Sequence, residues 1–155
     1  MKVDFVNPFL EAAKSVIETM AFTPVTPGKP AVKQDNLTWG IVSGVIGLAS
    51  AKLKGNMVLS FDEGAILGIV SKMLGEEFQS IGPDVVDAVG ELTNMISGNA
   101  KKALSEKGFV FDMAIPVMII GKDVAIVQFT KGPIITVPFE TEKGKFVIEA
   151  NLREV

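Results

Sequence analysis

The chain has 155 residues, 15 Lys and Arg against 18 Asp and Glu for a net charge of −3, and neither cysteine nor histidine. Disulfides, thiolate metal sites and cysteine nucleophiles are excluded, as are the imidazole of a Ser-His-Asp arrangement, the usual general base and phosphohistidine transfer. With 48% apolar and 21% charged residues, the composition supports a sizeable core, and residues 1–155 read as a single domain.

Asn7-Pro8 predicts a helix start, with asparagine as N-cap and proline at the first helical position. That helix runs to about Met20 and buries Phe9, Ala12, Ala13, Val16, Ile17 and Met20. The prolines and glycine of residues 22–32 predict an extended, irregular connection. From Leu37 to Phe61 the pattern is that of a β-hairpin with a break near Ala49–Lys52. Asp62 caps a further helix through Leu74, closed by Gly75. A polar loop over 76–82 leads to Gly82-Pro83 and a long helix that ends at Gly108. Short strands are predicted at 109–115, 124–129, 133–140 and 145–154, with turns at Gly121-Lys-Asp and Glu142-Lys-Gly. The whole reads as α+β, an antiparallel sheet with helices packed on one side. Glu11-Ala-Ala-Lys14 in the first helix echoes Glu91-Leu-Thr-Asn94 in the long one, so the halves read as a duplicated helix-plus-sheet unit.

The long helix carries the functional signal. Val85, Val89, Leu92, Ile96, Ala100 and Ala103 recur at three- and four-residue steps and mark a buried face. Asp87, Glu91, Asn94 and Gly98 stack along the opposite face. An ordinary solvated face would carry Lys, Glu and Gln, whereas this one shows a carboxylate and a carboxamide one turn apart, then a bare glycine. Asparagine competes with helix backbone bonding, and Gly90 and Gly98 each cost roughly 1 kcal/mol against alanine. Close approach of another protein's backbone is a sufficient reason for them. Asn99, at the border of the face, suits a bond to a neighbouring loop, and Asp84 and Asp87 suit the helix dipole.

Gly40, Gly44, Gly47 and Gly55 precede no Gly-Lys-Ser/Thr and make no phosphate loop. No acidic set has metal-ligand spacing, so no metal is assigned to the chain. Scattered lysines argue against nucleic acid. No apolar run reaches the roughly 20 residues of a membrane span, and the N-terminus is unlike a secretory signal. The expected location is the cytoplasm.

An exposed amide can orient a water where an electrophile, metal and cation are already supplied by a partner. Glu91-x-x-Asn94-x-x-x-Gly98-Asn99, preceded by Asp87 and followed by Pro116, resembles the signature of the CheC/CheX/FliY family of bacterial chemotaxis phosphatases. The likeness extends to Lys54–Phe61, Ile66–Gly75 and Asn7-Pro8-Phe9, and so over nearly the whole chain. With Glu11-x-x-Lys14 in its first helix, the chain is most similar to the single-site CheX branch. The resemblance implies hydrolysis of the aspartyl phosphate of the response regulator CheY. Asn94 would align the attacking water and Glu91 would pair with the regulator's lysine. Asp87, Gly98 and Asn99 would lie in the partner contact. It implies no cofactor of the chain's own, Mg²⁺ held by the phosphorylated receiver, and a homodimer joined through the β-sheet. The alternative is a non-catalytic docking module for a receiver domain or the flagellar switch.

Overall fold

The computed structural model describes the backbone of residues 3–127 and 132–155, with side chains from residue 5 onward within those spans. Helix α1 (Val3–Ala21) is followed by two short strands, β1 (Thr26–Pro27) and β2 (Ala31–Lys33). The hairpin β3 (Val42–Ala49) and β4 (Leu53–Phe61) leads to helices α2 (Glu63–Leu74) and α3 (Pro83–Ser105). Strands β5 (Val117–Ile120), β6 (Ile134–Glu140) and β7 (Lys145–Glu154) complete the described elements. They form one sheet in the order β1-β6-β7-β4-β3-β5, with β2 also on β6, and every pairing is antiparallel.

The expected duplication is legible in that order. Exchanging the halves maps α1 onto α3, β1 onto β5, β3 onto β6 and β4 onto β7, and the strand order is unchanged. Strands β4 and β7 meet at the centre, and each half lends its short strand to the other half's hairpin.

Alternation of side chains in the strands decides where the core lies. Val42, Ile46 and Leu48 of β3, Leu53, Met57, Leu59 and Phe61 of β4, and Phe146, Ile148, Ala150 and Leu152 of β7 enter one cluster with the buried sides of the helices. Phe146 stacks on Phe139 at 4.8 Å and 2°, and meets Phe61 at 5.2 Å. Fully burying such a side chain contributes about 1.5–3 kcal/mol, which makes this aromatic trio a principal clamp on the central strands. On the opposite face Ser43 and Ser60 share a hydrogen bond of 2.8 Å, and the Lys33 ammonium sits 2.8 Å from Glu149.

Several boundaries differ from expectation. Helix α1 starts at Val3, so Asn7 is no cap and Pro8 lies inside the helix. Proline there withholds the N–H that would bond the carbonyl of residue 4. Burial of Phe5 and Val6, with Phe5 edge-on to Phe109 at 5.5 Å, offsets that loss. Helix α3 ends at Ser105 rather than Gly108; Gly108, at φ +94°, instead closes the following turn, where only glycine is unstrained. The proline-rich connection contains β1 and β2. Residues 109–115 form no strand and make one bridge, Phe111 to Ser50; the paired segment is β5, further along. Of the expected strand 124–129, residues 124–127 make one bridge at Ala125, and 128–129 lie outside the described residues. Asp62 and Gly75 cap α2 as expected, Asp62 accepting from the Ala65 N–H and Gly75 turning left-handed at φ +67°. No helix among the described residues is long and apolar enough to cross a membrane.

Candidate functional site

Helix α3 opens without a side-chain cap: Gly82 is extended and Pro83 follows at the first position. Its rotation about its own axis is fixed by complete burial of Val85, Val89, Leu92, Ile96, Ala100 and Leu104. Ala103, expected on that face, is only half-buried, and Leu104 takes the inward place. Two polar side chains also turn inward. Thr93 donates its hydroxyl to the Val89 carbonyl at 2.7 Å, and Ser97 donates to the Asn94 carbonyl at 3.1 Å. Bonding back to their own helix, they satisfy their hydroxyls without an external partner.

With that face inward, the opposite line is outward. Asp87, Glu91, Asn94, Gly98 and Asn99 are all exposed. Glu91 and Asn94 are one turn apart, a spacing that puts Cβ atoms about 5–6 Å apart. Space around the helical glycines separates their roles. A Cβ on Gly98 would meet nothing within 4 Å, whereas one on Gly90 would lie 3.4 Å from Met118 Sδ of β5. Gly98 therefore opens outward, while Gly90 lies over β5 with the Met118 thioether at ordinary contact distance from such a Cβ. Asn99, expected to bond a neighbouring loop, stands exposed at the edge of the line.

Charge is graded along the helix. Exposed Asp84, Asp87 and Glu91 occupy its first half, and Lys101 and Lys102 its last turns. Lys101 lies on the same line as Asn94, a position sequence reading missed although heptad spacing from Asn94 marks it. Its ammonium donates to the Asp112 carbonyl at 3.2 Å. Partial burial holds its pKa below the usual lysine value, and the Asp112 carboxylate works against that shift.

Helix α1 presents the duplicated counterpart. Counted from the helix starts at Val3 and Pro83, Asn7, Glu11, Lys14 and Glu18 match Asp87, Glu91, Asn94 and Gly98. The counterpart face is closed by its own chemistry. Lys14 pairs with Glu18 at 3.2 Å, and Glu18 also accepts from the Val25 N–H at 3.3 Å. The glycine of α3 thus corresponds to a carboxylate that occupies its surroundings in α1.

No group of three or more acidic residues among the described ones could hold a metal ion. An exposed carboxamide both donates and accepts, so the α3 face can position a water through Asn94 and attract a cation through Glu91.

The protein family described as chemotaxis phosphatase CheX matches residues 42–140 of the chain. A protein described as CheY-P phosphatase CheX, from Thermotoga maritima, is 28% identical over 140 residues, 89% of this chain and 88% of its own. Among solved structures, a CheC-like superfamily protein from Shewanella sp. PV-4 is 46% identical with a TM-score of 0.91 over 99% of each chain. The chain is also similar, at 30% identity and a TM-score of 0.82, to one in a CheX–CheY–BeF3–Mg²⁺ complex from Borrelia burgdorferi, covering 99% of this chain and 100% of that one.

Proposed function

The chain belongs to the chemotaxis phosphatase CheX family, and on that premise we propose that it hydrolyses the aspartyl phosphate of a CheY-type response regulator. The observation that carries this reading is the outward line of α3, where Glu91, Asn94 and Gly98 stand exposed above a rigidly buried opposite face. Asn94 enters the receiver's shallow site. Its carboxamide oxygen accepts from a water and its NH₂ donates toward the phosphoryl oxygens, holding the water in line with the breaking bond. The water oxygen bonds phosphorus, the bond from phosphorus to the aspartyl oxygen breaks, and the products are a free carboxylate and phosphate, with the water's proton passing to phosphate or solvent. Glu91 pairs with a lysine beside the phosphate and fixes the register of docking. Asp87 and Asn99 flank the contact, and Gly98 leaves room for the partner's backbone. Mg²⁺ is held by the receiver, where it offsets charge on the transferring group. The CheX–CheY–BeF3–Mg²⁺ complex of the Borrelia relative supports this assignment of partner and ion.

The decisive measurement is the decay of a phosphorylated CheY-type receiver with Mg²⁺, with the intact chain or with Asn94→Ala. Faster decay with the former and none with the latter supports the phosphatase. Unchanged decay with demonstrable binding makes the chain a docking module for a receiver or flagellar-switch partner.

We further propose that it works as a single cytoplasmic domain in a homodimer paired along β5. That strand ends the described sheet, and exposed Met113, Ile115, Val117 and Ile120 lie on or beside it. Such an apolar edge invites strand addition. Ile120→Lys should convert the dimer to a monomer in analytical ultracentrifugation; an unchanged mass would place the interface elsewhere.

A further inference from the structure

The turn of α3 that carries Glu91 and Asn94 rests on the sheet at two points. Thr93, completely buried, faces Gly44 of β3, and Gly90 faces Met118 of β5. Gly44 and Met118 are register partners on neighbouring strands, so both points lie on one cross-strand row. At Gly44 the fit excludes any side chain: a Cβ there would lie 2.1 Å from Thr93 Oγ1, 3.0 Å from its Cβ and 3.2 Å from its Cγ2. Gly44 is not among the positive-φ glycines, so room rather than backbone conformation is the reason for it. The Thr93 hydroxyl cannot readily swing aside, because it is engaged with the Val89 carbonyl at 2.7 Å.

We propose that Gly44 and Thr93 are positioning residues that set how far Glu91 and Asn94 project from the sheet. The inference rests on the phosphatase reading above and assigns that site its internal support. Ordinary contact begins near 3.5 Å, so a methyl group at position 44 lifts this turn by roughly 1 Å. Thr93 precedes Asn94 directly, and Ser97, holding the Asn94 carbonyl, ties the next turn to it; the displacement is carried to the exposed amide. A shift of about 1 Å in a positioned group can slow a reaction by about a hundredfold. Docking, spread over a whole helix face, is far less sensitive to it.

The test is steady-state kinetics of receiver dephosphorylation for the intact protein, Gly44→Ala, Thr93→Ala and the double variant Gly44→Ala/Thr93→Ala. Gly44→Ala should lower kcat by about tenfold or more while KM stays within about threefold. Thr93→Ala removes Oγ1, the atom that the new methyl would strike most closely, and Cγ2, leaving only Cβ at 3.0 Å, so the double variant should recover kcat to within about threefold of the intact chain. Intact kcat in Gly44→Ala, or no recovery in a folded double variant, overturns the proposal. Should Gly44→Ala fail to fold, Met118→Ala gives the reading at a half-buried position. A kcat lower by about threefold or more at unchanged KM is expected there, and intact kcat overturns it. If the intact protein does not hasten receiver decay at all, the phosphatase reading has failed. Crystal structures of Gly44→Ala and the double variant then still decide the support: α3 displaced in the first and restored in the second upholds it, and identical positions sink it.

Discussion

Ser97 holds Asn94 from behind: its buried hydroxyl donates across 3.1 Å to the backbone carbonyl of the residue whose side chain faces outward one turn earlier. The residue proposed to present its amide to another protein is thereby anchored through its main chain to the interior. The carboxamide itself makes no hydrogen bond that folding needs, which separates its chemistry from its contribution to stability.

Asn94→Ala should therefore leave the melting temperature within about a degree while cutting receiver dephosphorylation by about a hundredfold or more, the usual scale for losing one positioned polar group. Affinity for a beryllofluoride-charged receiver, measured by calorimetry, should change by less than about tenfold. Equal losses of rate and affinity would contradict a water-orienting role.

Glu91 is assigned to docking, and its signature is sensitivity to salt. Glu91→Gln should raise KM by about tenfold and flatten the dependence of KM on ionic strength, because one charge-assisted contact is gone. A variant whose KM keeps the original salt dependence would remove Glu91 from the ionic contact.

Gly98 offers a dissociation between folding and function. Nothing lies within 4 Å of a Cβ built there, so Gly98→Ala should stabilise the protein by up to about 1 kcal/mol in urea unfolding. Gly98→Glu, which imitates the closed counterpart Glu18 on α1, should fold equally well yet bind the receiver at least about tenfold more weakly. Undiminished binding by Gly98→Glu would show that the partner's backbone does not approach this turn.

Glu149 gives the stability of the fold a pH dependence. Burial raises its pKa above the usual carboxylate value, opposed by the hydrogen bond and charge of Lys33, with Asp35 adding a small push upward. The folded chain thus binds this proton more readily than the unfolded chain. Its stabilising effect is present below the ordinary carboxylate range and is lost as pH rises through the elevated folded value. Between about pH 4 and pH 7, melting temperature should fall more steeply for the intact protein than for Glu149→Gln. The same substitution should cost about 1–3 kcal/mol near neutrality, since Lys33, which also donates to the Leu37 carbonyl, loses its buried counter-charge. Parallel pH profiles would contradict the raised carboxyl.

The helices α2 and α3 were legible because their signals are local: Asp62 and Gly75 at the ends of one, and the three- and four-residue apolar steps of the other. The outward line from Asp87 to Gly98 followed from the same periodicity, with Leu104 taking the place of Ala103 at the end of the buried face. The start of α1 was hidden because Pro8 reads as a first helical residue, and only tertiary burial of Phe5 against Phe109 extends the helix past it. Residues 109–115 are apolar at every position but Asp112, as a buried strand would be, yet pairing depends on a free neighbour in register, and β3 offers that register to Val117–Ile120 instead. Gly44 and Thr93 carry no sequence signal for each other, since their contact joins a strand to a helix almost fifty positions later. Glu18 carries no signal of its own in the sequence; only the helix starts at Val3 and Pro83 align it with Gly98.

Strand β5 has two duties that a single short segment seldom combines. Met118 supports the turn beneath Glu91, while the strand's outer backbone edge is the border of the sheet. In the proposed dimer, pairing along that border would also stiffen the footing of the outward amide. Under the proposed dimer along β5, specific activity should then decline on dilution as the two copies separate, so that the output of each molecule reports how many of its kind surround it.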